Sequence, residues 1–142
     1  MNNLLKHKIQ MEEIWKDILN YENYYEVSNF GNVRRKLNQT IYKDGRIANF
    51  SQTILKPSLH KKGYLLVYLS KNSIKKTKKI HRLVAENFLL NNKNLPQVNH
   101  IDCNKLNNHV NNLEWVSNLD NIKHAFKNGI FKNRDLKNTK NG

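Results

Sequence analysis

A single cysteine, Cys103, stands in a chain of 142 residues, so no internal disulfide and no Cys-x-x-Cys zinc clip can form. Structural zinc is therefore not expected, and any bound cation has to be held by His, Asn, Asp or Glu. Long apolar runs are also missing. No stretch approaches the roughly 20 apolar residues of a membrane span. The opening Met1-Asn2-Asn3-Leu4-Leu5-Lys6 lacks the apolar core and small-residue cleavage site of a signal peptide. These absences point to a soluble intracellular protein with no membrane partner. Acids are scarce: Lys and Arg number 25 against 11 Asp and Glu, for a net charge of +14. Glu12, Glu13, Asp17, Glu22 and Glu26 all precede residue 27, so the remainder is more basic still. A field of that sign attracts polyanions and speeds their encounter, and nucleic acid is the first class to consider.

At this length the chain forms one domain, or two small modules sharing a core. It has no internal repeat. Residues 1–10 read as an extension. Tyr24-Tyr25-Glu26-Val27-Ser28 and Val33-Arg34-Arg35-Lys36 are strand candidates joined through the turn Asn29-Phe30-Gly31-Asn32, a hairpin. Residues 37–53 are polar and resist assignment, apart from a turn at Lys43-Asp44-Gly45. A clearer hairpin follows Lys56-Pro57-Ser58. Tyr64-Leu65-Leu66-Val67-Tyr68-Leu69-Ser70 has high β propensity, is entered through Lys61-Lys62-Gly63, and turns back at Lys71-Asn72-Ser73 into Lys75–His81. Lys71, Lys75, Lys76, Lys78 and Lys79 cannot be core residues, so they face solvent or phosphate. Leu83, Val84 and Phe88 then recur at helical spacing. Ser117 is a good N-cap for a second helix over 118–128, with Asp120 complementing its dipole and Gly129 as its stop. Leu119, Ile122 and Phe126 form the expected buried stripe of that helix, which leaves Asn121 and His124 together on another face. The basic tail over 130–142 is expected to be disordered.

One region concentrates chemistry. Gln97-Val98-Asn99-His100-Ile101-Asp102 is followed by Asn111-Asn112-Leu113-Glu114-Trp115-Val116-Ser117, then by Asn121 and His124. Two short strands and a helix could gather these side chains. A hard-cation site beside a histidine that takes a proton from water is what a one-metal nuclease needs. Residues 97–124 closely resemble the HNH nuclease motif of the homing-endonuclease type, which folds as a ββα-metal finger. The segment from Trp15-Lys16-Asp17-Ile18 through Tyr25-Glu26-Val27-Ser28-Asn29-Phe30-Gly31-Asn32-Val33-Arg34 resembles the nuclease-associated modular segment found upstream in that family. His81-Arg82-Leu83-Val84-Ala85 is similar to its linking helix. Three separated signatures in the expected order span roughly residues 12–128.

The resemblance implies an α+β fold: an N-terminal antiparallel β-hairpin module over 11–58, then a nuclease domain over 59–129. That domain comprises the basic hairpin, a linking helix and a ββα-metal (HNH) finger at 97–129. It also implies a divalent-metal-dependent endonuclease that nicks or cleaves double-stranded DNA to give 5′-phosphate and 3′-hydroxyl ends. Such a protein acts in the cytoplasm of a microbial host, encoded there or by a virus, with a monomer favoured. Position by position, His100 matches the general base, Asn99 the neighbouring metal ligand and Asn121 the second ligand. Asn112 matches the central asparagine that holds the inter-strand loop and so aims the histidine. The implied cofactor is one Mg²⁺ or Mn²⁺ ion, hard cations suited to amide oxygen. Two neutral amides bind such an ion weakly, so the site should fill only when a scissile phosphate adds charge.

Other residues have a bland reading beside the sharp one. His124 either touches metal or phosphate or hydrogen-bonds within the finger. His81 is a site candidate but also a natural packing residue at a strand–helix junction. Asp102 reads as a turn-fixing carboxylate and Glu114 as an ordinary strand residue. Lys71, Lys75, Lys76, Lys78 and Lys79, with Arg34, Arg35 and Arg82, are the expected DNA-phosphate contacts. The family usually has glycine where this chain has Cys103, so a left-handed backbone there would be strained. Related chains often continue into a C-terminal helix-turn-helix. The alternative function is a catalytically inactive DNA-binding protein that retains the HNH scaffold. An RNA-binding role would want an exposed aromatic pair on adjacent strands, which the sequence does not offer.

Overall fold

The computed structural model describes residues 12–130, so the extension over 1–10 and all but the first residue of the expected tail lie outside them. The fold is α+β. Its N-terminal part is a four-stranded antiparallel sheet in the order β1-β2-β3-β6, formed by Trp15–Asp17, Tyr25–Ser28, Val33–Arg35 and Thr53–Ile54. Val27 pairs with Val33 across the hairpin turn, and both are buried because alternate residues of these strands face inward. The unassigned stretch between β3 and β6 is a separate two-stranded arm, β4 (Asn38–Ile41) and β5 (Ile47–Phe50), which turns through Gly45 at φ +82°. No residue of the arm is buried. Arg35 lies over Phe50 and Arg46 over Tyr42, so cation–aromatic contacts take the place of a core there.

The basic hairpin supplies two strands of a three-stranded sheet in the order β7 (Ser58–Leu59), β8 (Leu65–Lys71) and β9 (Ile74–Lys79). Asn72 and Ser73 both have positive φ, as a two-residue hairpin loop that matches the strand twist requires. Directly paired residues of antiparallel strands share a face. The register therefore divides the lysines: Lys75 and Lys79 share the face of Tyr68 and Leu66, while Lys76 and Lys78 share that of Leu69 and Val67.

Strand β9 runs without a loop into helix α1 (Ile80–Phe88). Ile80, Leu83, Val84 and Ala85 of this helix join Val27 and Val33 of the first sheet, Val67 and Leu69 of the hairpin, and Val98 and Leu113 further on, in one contiguous core. Each such buried Val, Leu or Ile side chain contributes about 1.5–3 kcal/mol. The modules thus share a core, with α1 as the common pillar.

The C-terminal finger pairs β10 (Gln97–His100) with β11 (Leu113–Val116) and ends in α2 (Asn118–Lys127). Ser117 caps α2 as expected, its Oγ accepting from Asp120 N at 3.0 Å. The expected buried stripe is not buried: Leu119, Ile122 and Phe126 are 60%, 48% and 56% exposed. The half-buried face instead carries Asn121, His124 and Ala125. The reason is local, since α2 has only a two-stranded hairpin and its loop to lie against, and the side turned to them is polar. No helix among the described residues is long and apolar enough to cross a membrane.

Candidate active site

His100 is the last residue of β10 and is buried, at 5% exposure. Its Nε2 lies 2.9 Å from Oδ1 of Asn108, itself 4% exposed. An amide oxygen only accepts, so Nε2 carries the hydrogen and Nδ1 keeps its lone pair. Burial pulls the His100 pKa below that of a free imidazole, and nearby Lys105 acts in the same direction. The bond to Asn108 and the Asp102 carboxylate oppose that shift without cancelling it. The ring is therefore a neutral proton acceptor at neutral pH.

His81 sits in the first turn of α1 with its ring 5.0 Å from that of His100 and 4.9 Å from Tyr64, measured between centroids. Burial, reinforced by His100, Lys79, Arg82 and Lys105, pushes its pKa down to about 3. Its Nδ1 is buried without a partner among the described residues. This uncharged ring backs His100 but does not line the cleft in front of it.

The loop between β10 and β11 is clamped by Asn112. Its Nδ2 donates to Asp102 Oδ1 at 2.8 Å and to Asn107 O at 2.9 Å, while its Oδ1 accepts from Asp102 N at 3.0 Å. Asp102 also accepts from Asn107 Nδ2 and Asn104 N, both at 2.8 Å, and these bonds hold its carboxyl below the usual carboxylate range. Cys103, next in the loop, has φ +63°, the left-handed conformation in which a side chain is strained. Its Sγ lies 3.9 Å from His124 Nδ1, and His124 Nε2 lies 3.2 Å from Ile101 O. His124 thus fastens α2 to this loop.

Asn99 and Asn121 approach the same cleft from different elements. Asn99 Nδ2 donates to Glu114 Oε1 at 2.9 Å across the β10–β11 pair, which fixes the amide and leaves Oδ1 for the cleft. Glu114, ordinary by sequence, is therefore an orienting partner. The Asn121 amide makes no hydrogen bond among the described residues. The cleft, about 180 Å³, is lined by Tyr64, Asn99, His100, Lys105, Asn121 and His124 among others. No group of three or more His, Cys, Asp or Glu among the described residues could hold a metal. The amide oxygens of Asn99 and Asn121 are hard donors of the kind that suits a divalent cation such as Mg²⁺ or Mn²⁺.

The basic residues fall into groups. Arg34 is bound to Glu26 at 2.7 Å and lies over Trp15. Arg35 lies over Phe50, Lys71 donates to Asn20 O at 2.6 Å, and Arg82 donates to Pro96 O at 3.0 Å. These side chains already have partners within the fold. Lys105, whose Nζ also donates to Lys62 O at 2.8 Å, and Lys79 both lie over Tyr64, at 4.6 and 4.9 Å from the ring centroid, and Lys75 lies over Tyr68 at 4.7 Å. A cationic, aromatic track therefore leads out of the cleft along one face of the hairpin. Lys76 and Lys78 instead border a depression with Asn20, Tyr21 and Lys71. The sequence reading missed Tyr64, Lys105 and Asn108. The spacing of Tyr64 and Tyr68 on one strand face was the available signal for the first.

Residues 13–70 match the NUMOD4 motif. The chain is 42% identical over 118 residues to an uncharacterized HNH endonuclease of Acanthamoeba polyphaga mimivirus, and 36% identical over 115 residues to DNA endonuclease I-HmuI of Bacillus phage SP01. These alignments cover 83% and 81% of this chain, but only 31% and 59% of the relatives' own lengths. A solved structure of the HNH homing endonuclease I-HmuI, described as showing DNA binding and cleavage, matches with a TM-score of 0.65 at 37% identity. That match covers 82% of this chain and 59% of the other. The likeness runs through both the upstream module and the finger that carries His100, and over that span the chain is similar to HNH homing endonucleases.

Proposed function

We propose that this chain is a divalent-metal-dependent endonuclease that hydrolyses phosphodiester bonds of duplex DNA, acting as a monomer inside a host cell. The observation that carries this reading is His100, neutral and held through Nε2 by Asn108, at a cleft it shares with Asn99 and Asn121. Nδ1 of His100 takes a proton from water as the water oxygen bonds to phosphorus and the bond from phosphorus to the 3′ oxygen breaks. The leaving oxygen then takes up a proton, so the ends are a 5′-phosphate and a 3′-hydroxyl. Asn99 and Asn121 would hold one Mg²⁺ or Mn²⁺ ion, which when bound offsets negative charge on the phosphate and the leaving oxygen. Lys105, Lys79 and Lys75 draw the duplex backbone to the cleft.

The test is supercoiled plasmid with Mg²⁺ or Mn²⁺, with and without chelator, beside His100→Ala. Nicked or linear DNA that disappears with chelator and in the variant supports the reading. Equal DNA retention by both proteins, with no cleavage at any metal concentration, overturns it in favour of an inactive DNA-binding protein.

A further inference from the structure

We propose that Asn108 is the positioning residue of His100, and that Gly31 of the N-terminal module seats it, so that the upstream turn is part of the catalytic centre. This rests on reading His100 as the base.

The juxtaposition is residue for residue. Asn29, Phe30 and Gly31 of the β2–β3 turn meet Val110, His109 and Asn108 of the finger loop. Asn29 O accepts from Val110 N at 2.8 Å. The Phe30 ring stacks on that of His109, with centroids 5.1 Å apart and planes at 29°. Gly31, at φ +87°, lies so close to Asn108 that a Cβ on it would sit 2.7 Å from Asn108 Cβ and 3.0 Å from Asn108 O. Real Cβ atoms do not approach so closely, so only glycine lets the two segments touch here.

The turn is itself firmly held within its own sheet. Asn29 Oδ1 accepts from Ile14 N at 2.7 Å, and its Nδ2 donates to Glu12 O at 3.0 Å. Ser28 Oγ accepts from Asn32 N at 3.1 Å and from Phe30 N at 3.3 Å. A rigid turn thus presses on the loop segment whose side chain accepts the Nε2 hydrogen of His100 at 2.9 Å. The consequence is chemical. With Nε2 committed as a donor, Nδ1 is the proton-accepting nitrogen in every molecule, whereas a free imidazole distributes its proton between both. Asn112 clamps the loop from the strand side, but among the described residues Asn108 alone hydrogen-bonds to the histidine ring.

The experiment reads the tautomer and the rate separately. Long-range proton–nitrogen NMR of the His100 ring, at mildly alkaline pH and without DNA, shows the Nε2–H form alone in the parent protein. Asn108→Leu, similar in size but without an acceptor, shows a mixture. Its single-turnover plasmid cleavage with Mn²⁺ falls by about 10- to 100-fold, while duplex affinity stays within twofold, on the order of other losses of an orienting partner. Asn108→Asp restores the Nε2–H form and most of the rate. Gly31→Ala reproduces both changes and adds no further loss in the Asn108→Leu background, as residues acting through one contact do. Should Gly31→Ala not fold, Phe30→Ala gives the same pair of changes on a smaller scale.

An unchanged tautomer and rate in Asn108→Leu overturn the proposal. A rate loss in the folded upstream variant that adds fully to that of Asn108→Leu overturns the part played by the module. If the parent protein cuts no DNA under any metal condition, the endonuclease reading fails, while the ring spectra still decide whether Asn108 sets the tautomer.

Discussion

The two walls of the cleft are built in opposite ways. One wall, the β10–β11 hairpin with its loop, buries Asn99, His100, Asn108 and Asn112, is cross-bonded through Asn112, Asp102, Asn107 and Asn108, and is backed by the common core. The other, helix α2, has no buried residue, and it presents the Asn121 side chain with no hydrogen bond among the described residues. The proposed base, His100, thus stands on the finished wall and one of the two expected metal ligands on the unfinished one. In the proposed mechanism, the difference teaches that the proton acceptor is organised by the fold, whereas the cation site would be completed by what binds there.

Several substitutions break or sharpen this contrast. The largest effect falls on the finished wall: His100→Ala should slow single-turnover plasmid cleavage by roughly 10²–10⁴-fold, the usual range for removing a general base, with DNA retained. Next comes a comparison between two asparagines. Asn112→Ala leaves loop donors and acceptors unpaired and should lower stability by about 1–3 kcal/mol in a denaturant titration, with loss of cleavage. Asn121→Ala should lower metal-stimulated cleavage by about 10- to 100-fold while leaving the unfolding free energy within ~0.5 kcal/mol of the parent, as for a surface substitution. Equal destabilisation by both would erase the distinction between the walls.

Smaller effects follow. Glu114→Ala frees the Asn99 amide, and should raise the metal concentration for half-maximal cleavage by about tenfold. His81 supplies a pH signature. Below its ordinary value of 6.5 the unfolded chain takes up a proton that folded His81 refuses until about pH 3, so stability falls as pH drops through that window. His81→Phe should flatten melting temperature against pH across that window, and an unchanged slope would assign the acid sensitivity elsewhere. Finally, Lys75→Ala with Lys79→Ala should reduce the salt dependence of DNA affinity more than Lys76→Ala with Lys78→Ala, because only the first pair lies on the track leading from the cleft.

What the sequence made legible was local. The spacing of Asn99, His100, Asn112 and Asn121, the Ser117 cap and the Asn72-Ser73 turn follow from short-range geometry, and each stands where the spacing put it. The left-handed Cys103, at φ +63°, was visible from the glycine its neighbours would use. What stayed hidden depends on partners distant in the chain. Asn108 is one asparagine among many until Gly31 is seen against it. Glu114 orients Asn99 only because the β10–β11 register sets them opposite each other. The apolar stripe of α2 was read correctly as a stripe and wrongly as buried, since amphipathicity names an apolar face but not whether anything covers it. The β4–β5 arm escaped assignment because it buries no side chain and so leaves no hydrophobic period to find.

The contrast between a finished base and an unfinished cation site is tested most directly by Mn²⁺ binding, followed by electron paramagnetic resonance with and without a duplex that resists cleavage. Subtracting the ion held by DNA alone, the account predicts weak binding by the free protein and binding at least about tenfold tighter in the complex, with the gain lost in Asn121→Ala. Mn²⁺ bound as tightly without DNA as with it, or a gain that survives Asn121→Ala, would contradict it.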